Sequence, residues 1–164
     1  MKHAKSSPRR STSAEAAKHA PVLEGILETV LYAQNLEVAE DFYCRVPGLE
    51  RIFSVPSRQL VFRCENGFLL VFNPDHTERN RIHINGSAIP LHGARGAGHI
   101  AFRVSKRALA AWRRSLRGAG VPIESEVAWP NGATSIYFRD PAGNSLELAT
   151  PGMWKKTVAN NLSG

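Results

Sequence analysis

The sequence predicts an α+β fold in which two βαβββ modules pair to form a concave mixed sheet with helices on its outer face. Three observations lead to this prediction. Residues 25–34 alternate between two sets of side chains, as a half-buried strand does. A stretch with helical spacing and three further strand-like runs follow. The same order then returns in the second half of the chain, which is typical of an internal repeat.

The first module is predicted over about residues 25–73. Its first strand is followed by a helix over residues 35–44, which Asn35 opens as a capping residue and Pro47-Gly48 ends. Strands are then predicted at residues 50–55, 58–64 and 67–72. The turn signal Glu65-Asn66-Gly67 joins the last two as a hairpin.

The second module is predicted over residues 98–150. Its first strand spans residues 98–104, and Ser105 is expected to cap a helix that continues to residue 117. Leu109, Trp112 and Leu116 give that helix one apolar face. Strands follow at residues 123–128, 134–139 and 145–149, and the turn-rich segment 140–144 joins the last two.

Length and composition favour one compact domain. The chain has 164 residues, of which 43% are hydrophobic. We expect a single domain over residues 22–154, with a linker at 74–97, a disordered basic tail at 1–21 and a C-terminal tail at 155–164. No apolar run approaches the roughly 20 residues that span a bilayer, and the N-terminus lacks the apolar segment of a secretory signal. These features predict a soluble, cytoplasmic protein with no membrane partner.

Charge and cysteine content narrow the classes of partner. The formal net charge is +7, but residues 1–19 account for +4 of it, so the remainder is only mildly basic. Nucleic-acid binding is therefore not expected, and a small molecule is the predicted substrate or ligand. Cys44 and Cys64 match no disulfide framework or metal spacing and are expected to be half-buried structural thiols.

Strand alternation places one histidine and two carboxylates on the concave side of the sheet. If the alternate apolar side chains pack under the helices, then Glu28, His99 and Glu147 project inward. The repeat aligns Glu28 with His99 and Leu70 with Glu147, so three of these four matched positions can bind a divalent cation. Imidazole and carboxylates suit Mn, Fe, Zn, Ni or Co, and three protein ligands leave room for substrate. The alternative is that the carboxylates are surface groups and His99 is an ordinary hydrogen-bonded histidine.

Two segments resemble the vicinal oxygen chelate superfamily, namely Gly98-His-Ile-Ala-Phe102 and Tyr137-Phe-Arg-Asp-Pro-Ala-Gly-Asn-Ser-Leu-Glu-Leu148. That superfamily includes glyoxalase I, fosfomycin-resistance enzymes, extradiol dioxygenases, methylmalonyl-CoA epimerase and bleomycin-resistance proteins. The resemblance covers about residues 24–152 and implies the glyoxalase/dioxygenase-like fold. It carries the family's metal positions over to Glu28, His99 and Glu147, with Leu70 at the fourth, and implies one divalent ion and a homodimer.

Two departures from the family pattern bear on the reaction. Glu28 stands where the family usually has histidine, and Leu70 stands where glyoxalase I has a carboxylate or amide. Because Glu28 replaces a second histidine, lyase or isomerase chemistry of the lactoylglutathione-lyase type is favoured over dioxygenation, whereas Leu70 departs from the pattern of glyoxalase I itself. Glu28 and Glu147 are the candidate catalytic residues, and the proton would be moved either by a metal-bound water or by Glu28, acting as general base if it leaves the ion. The alternative is a metal-free protein of bleomycin-resistance type that binds a drug or another small molecule.

Four further residues are candidates for substrate binding. Arg103 points inward and suits an oxyanion, while Tyr32 suits a pocket wall or hydrogen-bond donor. His92 lies on a glycine-rich segment before the second module. Trp129 can form a mobile wall or simply pack on the C-terminal segment. His76, in the linker, is expected to be solvated.

Overall fold

A computed structural model describes residues 21–154. The first module consists of strand β1 (Glu28–Tyr32), helix α1 (Leu36–Arg45) and strands β2 (Glu50–Val55), β3 (Gln59–Cys64) and β4 (Gly67–Phe72). The linker contains the short helix α2 (Pro74–Thr77) and a small hairpin of β5 (His83–Ile84) and β6 (Ser87–Ala88). The second module consists of β7 (His99–Arg103), helix α3 (Leu109–Gly118), β8 (Ser125–Ala128), β9 (Thr134–Arg139) and β10 (Ser145–Ala149).

The two modules have the same topology, which confirms the predicted βαβββ repeat. Each forms a four-stranded mixed sheet, in the orders β1-β4-β3-β2 and β7-β10-β9-β8. The first strand of each module runs parallel to the last, and the other pairs are antiparallel. Val30 lies opposite Leu70 in one sheet, and Ala101 lies opposite Glu147 in the other. This register bears out the alignment of Leu70 with Glu147.

Several predicted boundaries differ from the structure. β1 begins at Glu28, and residues 25–27 are not in a strand. Ser105 makes no side-chain capping bond, because a single 3₁₀ turn at Lys106–Ala108 separates it from α3. Asn35 does cap α1, since its side chain accepts a hydrogen bond from the Val38 amide. Cys44 is exposed, not half-buried, and both cysteines are free.

One apolar core joins the helix-facing sides of both sheets. It includes Leu31, Phe42, Phe62, Leu116, Phe138 and Leu146. We call the opposite side of each sheet its open face. The open face of the first sheet presents Glu28, Val30 and Tyr32 in β1, and that of the second presents His99, Ala101 and Arg103 in β7.

A buried polar network also ties the modules together. The Tyr43 hydroxyl donates to Asp140 Oδ2 over 2.8 Å. Asn144 Nδ2 donates to the same carboxylate and to the Tyr32 carbonyl. Asn144 Oδ1 accepts from the Gly98 amide, which fixes the backbone directly before His99.

The predicted tails at residues 1–21 and 155–164 lie outside the described residues apart from Pro21. None of the helices within residues 21–154 is long and apolar enough to cross a membrane.

Candidate metal centre

His99 and Glu147 form a close pair on the open face of the second sheet. They lie on the parallel neighbours β7 and β10, where Ser145 is opposite His99 and Glu147 is opposite Ala101. His99 Nε2 is 3.3 Å from Glu147 Oε2. The His99 side chain is half exposed, whereas Glu147 retains only 4% of its accessible surface. Strand alternation had predicted that these two residues share a face.

The hydrogen bonds of the pair suit a cation. The Nδ1 atom of His99 is 3.1 Å from the Ser145 carbonyl oxygen, so Nδ1–H donates there. If the ring is neutral, its Nε2 lone pair then points toward the Glu147 carboxylate. Nε2 and the carboxylate oxygen are both acceptors, so they repel at this distance unless a proton or a metal ion lies between them. A histidine that donates one ring N–H to a backbone carbonyl and leaves the other nitrogen free is the usual arrangement of a metal ligand.

Glu147 provides a second indication of the same kind. Its Oε1 atom is fully buried and has no hydrogen-bond partner among the described residues. A buried carboxylate oxygen without a donor is costly, because the group has lost water without gaining a replacement. A bound divalent ion would remove that cost, so the donor set fits the predicted cofactor.

Tyr137 adjoins the pair, and sequence reasoning did not single it out. It lies directly opposite Glu147 in β9, and its ring stacks on His99 with centroids 6.3 Å apart. Burial, and then the charge of Glu147, raise the pKa of the Tyr137 hydroxyl. The alternation rule applied to residues 134–139 would have identified it, because β9 is the strand next to β10.

Glu28 is not part of this pair within one chain. It is exposed at the start of β1, in the other sheet. Among residues 21–154, no three side chains of His, Cys, Asp or Glu are close enough together to hold a metal ion. Leu70, at the position that matches Glu147, is buried with 6% of its surface exposed.

Tyr32 and His92 meet at the open face of the first sheet. The Tyr32 hydroxyl is 2.8 Å from His92 Nδ1. The His92 ring also packs edge-on against Phe72, with centroids 4.6 Å apart. Burial, and then the charge of Arg58, lower the pKa of His92, so its ring is neutral near pH 7. The structure thus brings two of the predicted substrate-binding residues into contact.

Arg103 and Trp129, the other two predicted substrate-binding residues, have different surroundings. Arg103 is exposed on the open face of the second sheet. Trp129 is held in place, because its Nε1 donates to Ser135 Oγ over 2.8 Å and its ring packs in a small cluster with Met153. Of the two interpretations of Trp129, the structure favours packing against the C-terminal segment.

Comparison with known proteins identifies the family. Residues 25–148 match the family model described as the Glyoxalase/Bleomycin resistance protein/Dioxygenase superfamily. A lactoylglutathione lyase from Agrobacterium tumefaciens is 39% identical, with a TM-score of 0.74 over 80% of this chain and 97% of that one. The metallothiol transferase FosB of Bacillus licheniformis is 27% identical over 77% of this chain and 75% of its own length.

More distant structures share the fold. The fosfomycin resistance protein FosX from Mesorhizobium loti is 17% identical, with a TM-score of 0.57 over 80% of this chain and 96% of that one. The family match covers nearly all of residues 21–154. The two sheets of this chain have the predicted βαβββ topology. The chain therefore belongs to the glyoxalase/bleomycin resistance/dioxygenase superfamily.

Proposed function

We propose that this protein is a divalent-metal-dependent enzyme that acts on a small oxygen-chelating substrate, as a lyase or isomerase of the lactoylglutathione-lyase type. The observation on which this rests is the His99–Glu147 pair, which combines a free imidazole nitrogen with a buried, unpartnered carboxylate oxygen. The 39% identity to a lactoylglutathione lyase supports the choice of reaction class.

His99 Nε2, the Glu147 carboxylate and the Glu28 carboxylate would hold the ion. When bound, a divalent ion supplies Lewis-acid polarisation of substrate oxygens. One imidazole and two carboxylates balance a charge of +2 and favour harder ions such as Mn(II) or Fe(II) among Mn, Fe, Zn, Ni and Co. Tyr137 keeps the imidazole in its orientation by stacking on the His99 ring. Glu28, with its exposed carboxylate, is the proposed general base, which would leave the ion and accept a proton from the substrate carbon.

We propose that a second copy of the chain supplies Glu28. Within one chain Glu28 lies in a different sheet from the His99–Glu147 pair. The first sheet and the segment before it also expose apolar side chains that another copy would cover, including Ile26, Leu27, Val30 and Phe53. Pairing the open face of one copy's first sheet with that of the other copy's second sheet would create two equivalent sites in a homodimer.

Mixing two inactive variants tests this arrangement directly. Glu28→Ala and His99→Ala chains each lack a metal ligand, and a mixed dimer with shared sites contains one site that keeps all three. Co-expression in equal amounts should therefore restore about half a metal site per dimer, because about half of randomly paired dimers are mixed and each mixed dimer has one complete site. If each site lies within one chain, mixing restores nothing.

The alternative is a metal-free binding protein of bleomycin-resistance type. One specific observation favours it: the matched position opposite Val30 is occupied by the buried Leu70, which makes that part of the open face an apolar surface. Such a surface suits an aromatic or aliphatic ligand, and the exposed Glu28 would attract a cationic one.

Metal analysis separates the two candidates. Untagged protein is purified without chelators and analysed by mass spectrometry beside His99→Ala and Glu147→Ala, with His83→Ala as a control for an exposed histidine in β5. The enzyme proposal predicts a near-stoichiometric divalent ion that is lost in the first two variants and kept in the control. Wild-type protein that stays empty after metals are offered at neutral pH refutes it. Formation of lactoylglutathione from the hemithioacetal of methylglyoxal and glutathione then tests the reaction class.

A further inference from the structure

Asn144 is a fully buried side chain that binds three other parts of the chain. It retains 1% of its accessible surface. Its Oδ1 atom accepts a hydrogen bond from the Gly98 amide over 2.8 Å. Its Nδ2 atom donates to Asp140 Oδ2 over 2.8 Å and to the Tyr32 carbonyl over 3.0 Å. The bond to Tyr32 ties the two modules together, whereas the bond to Gly98 holds the residue directly before His99, a proposed metal ligand.

Asn144 and the residue after it hold the start of β7 by three hydrogen bonds. Besides the side-chain bond to the Gly98 amide, the Ser145 amide donates to the Gly98 carbonyl over 2.8 Å. The Ser145 carbonyl oxygen in turn lies 3.1 Å from His99 Nδ1 and accepts a hydrogen bond from it. Because β10 begins at Ser145 and also contains Glu147, the same segment carries one proposed ligand and orients the other.

The first module makes the matching backbone bond without such a side chain. Counted from the matched positions in β4 and β10, Gly67 takes the place of Asn144, and Leu27 takes that of Gly98. The amide of Phe68 donates to the Leu27 carbonyl over 3.1 Å, so the two strands meet there as they do in the second module. The fold therefore does not require a buried amide at this point. Asn144 is an addition in the module that carries the histidine–glutamate pair.

The two modules also differ in which strand carries a glycine where the first strand meets the last. A Cβ on Gly67 would lie 3.1 Å from the Leu27 carbonyl oxygen. A Cβ on Gly98 would lie 3.1 Å from Asn144 Oδ1 and 2.9 Å from Leu31 Cδ2. Glycine at position 98 therefore leaves room for the Asn144 amide, but a glycine restricts its own backbone less than other residues do. The backbone just before β7 thus depends on the Asn144 side chain for a fixed direction.

The direction of the His99 ring decides whether its pair with Glu147 is open to a cation. With its proton on Nδ1, the ring donates to the Ser145 carbonyl and leaves Nε2 free as a ligand. With its proton on Nε2, the ring would instead donate to Glu147 Oε2, which is 3.3 Å away, and that lone pair would no longer be available. A ring that moves away from the Ser145 carbonyl loses the partner that favours the first form.

We infer that Asn144 is a positioning residue, which holds the Gly98–His99 peptide so that His99 keeps its proton on Nδ1 and presents Nε2 to a divalent ion. This inference rests on the proposed function and extends it to a residue that contacts neither the ion nor the substrate. Metal ligands have to be held within about 0.5 Å of their productive positions. Replacing a residue that orients a ligand typically changes metal affinity by about 10–100-fold.

The tautomer of His99 in the metal-free protein tests this inference without any metal. It is read from the ring-nitrogen chemical shifts by NMR at pH 8. We expect the Nδ1–H form in the wild type and a shift toward the Nε2–H form in Asn144→Ala. Asn144→Ser keeps a smaller polar group and should shift part of the way. Near-UV circular dichroism checks that each variant folds, and Asn144→Ser decides the matter if Asn144→Ala does not fold.

Titration with Mn(II), followed by calorimetry, gives a second readout. Asn144→Ala should weaken Mn(II) binding by at least about tenfold. Tyr43→Phe is the matched control, because it removes another buried hydrogen bond of the same network, to Asp140, without touching Gly98. This control should keep both the His99 tautomer and the Mn(II) affinity of the wild type, even though it is less stable.

Three results would overturn the inference: an Nε2–H tautomer in the wild type, an unchanged tautomer in a folded Asn144 variant, or an equal loss of Mn(II) affinity in Tyr43→Phe. Failure of the proposed function is seen separately. A wild type that shows the expected tautomers but never binds Mn(II) contradicts only the metal centre. A wild type that binds Mn(II), with Asn144 variants that keep its tautomer and affinity, contradicts only the role of Asn144.

Discussion

Replacing Tyr43 with phenylalanine removes a buried hydrogen bond between the two modules. Tyr43 is fully buried, and its hydroxyl donates to the buried Asp140 carboxylate over 2.8 Å. A hydrogen bond to a charged group contributes about 1.5–3 kcal/mol. Asp140 keeps three other donors, from Ala142 and from the backbone and side chain of Asn144, so its charge stays hydrogen-bonded in the variant. We therefore expect Tyr43→Phe to lower the free energy of unfolding by about 2 kcal/mol.

Urea unfolding followed by far-UV circular dichroism measures this loss, and the midpoint of thermal unfolding should fall by about 6–8 °C. Burial, and then Asp140, raise the pKa of Tyr43 above its ordinary range, so the loss should be the same at pH 7 and pH 9. A double-mutant cycle with Asp140→Asn isolates the pair. A loss below about 0.5 kcal/mol, or the same loss in the Asp140→Asn background, would refute the reasoning.

Four further substitutions have different expected outcomes. Gly98→Ala should cost about 1–3 kcal/mol in urea unfolding, because a Cβ there would lie 2.9 Å from Leu31 Cδ2. Gly118→Ala, where a Cβ meets nothing within 4 Å, should instead stabilise by up to about 1 kcal/mol. In the presence of a chelator, Glu147→Gln should be at least as stable as the wild type, because Glu147 has a buried unpartnered oxygen. Mn(II) at a hundred times its Kd should stabilise the wild type by about 2.7 kcal/mol in thermal scans, and Glu147→Gln should lose this stabilisation. The pKa of His92 is lowered in the folded state, so the unfolded chain binds the proton first and the stability of the wild type falls as the pH drops below about 6.5. His92→Gln should make this fall in stability less steep. Urea titrations at several pH values measure the difference.

The strand pattern was sufficient to predict the second module and its polar pair. In β7 and β10, one set of alternate side chains enters the core and the other set lies on the open face, so a local rule places His99 and Glu147 together. The same rule reaches Tyr137, through its register with Glu147. The alternation rule does not predict how deeply a side chain on the open face is buried, because its burial depends on which other part of the protein covers that face. Glu28 has the predicted orientation, but nothing in the local sequence says what lies opposite it.

The burial of Arg58, which retains 4% of its accessible surface, was beyond sequence reasoning for a different reason. It lies between β2 and β3, where side chains no longer alternate between two faces. Its burial comes from the linker, which folds back so that Asn80 and His76 contact the guanidinium. These contacts span about 20 residues of irregular chain, and no periodic pattern encodes them.

The two modules share one backbone plan and differ in chemistry. At the matched positions opposite Val30 and Ala101, the first sheet has the buried Leu70 and the second has Glu147. The second sheet therefore holds the polar His99–Glu147 pair, whereas the matched part of the first sheet is apolar. In the proposed enzyme, a substrate that uses both would have a chelating end at the pair and an apolar part against the first sheet.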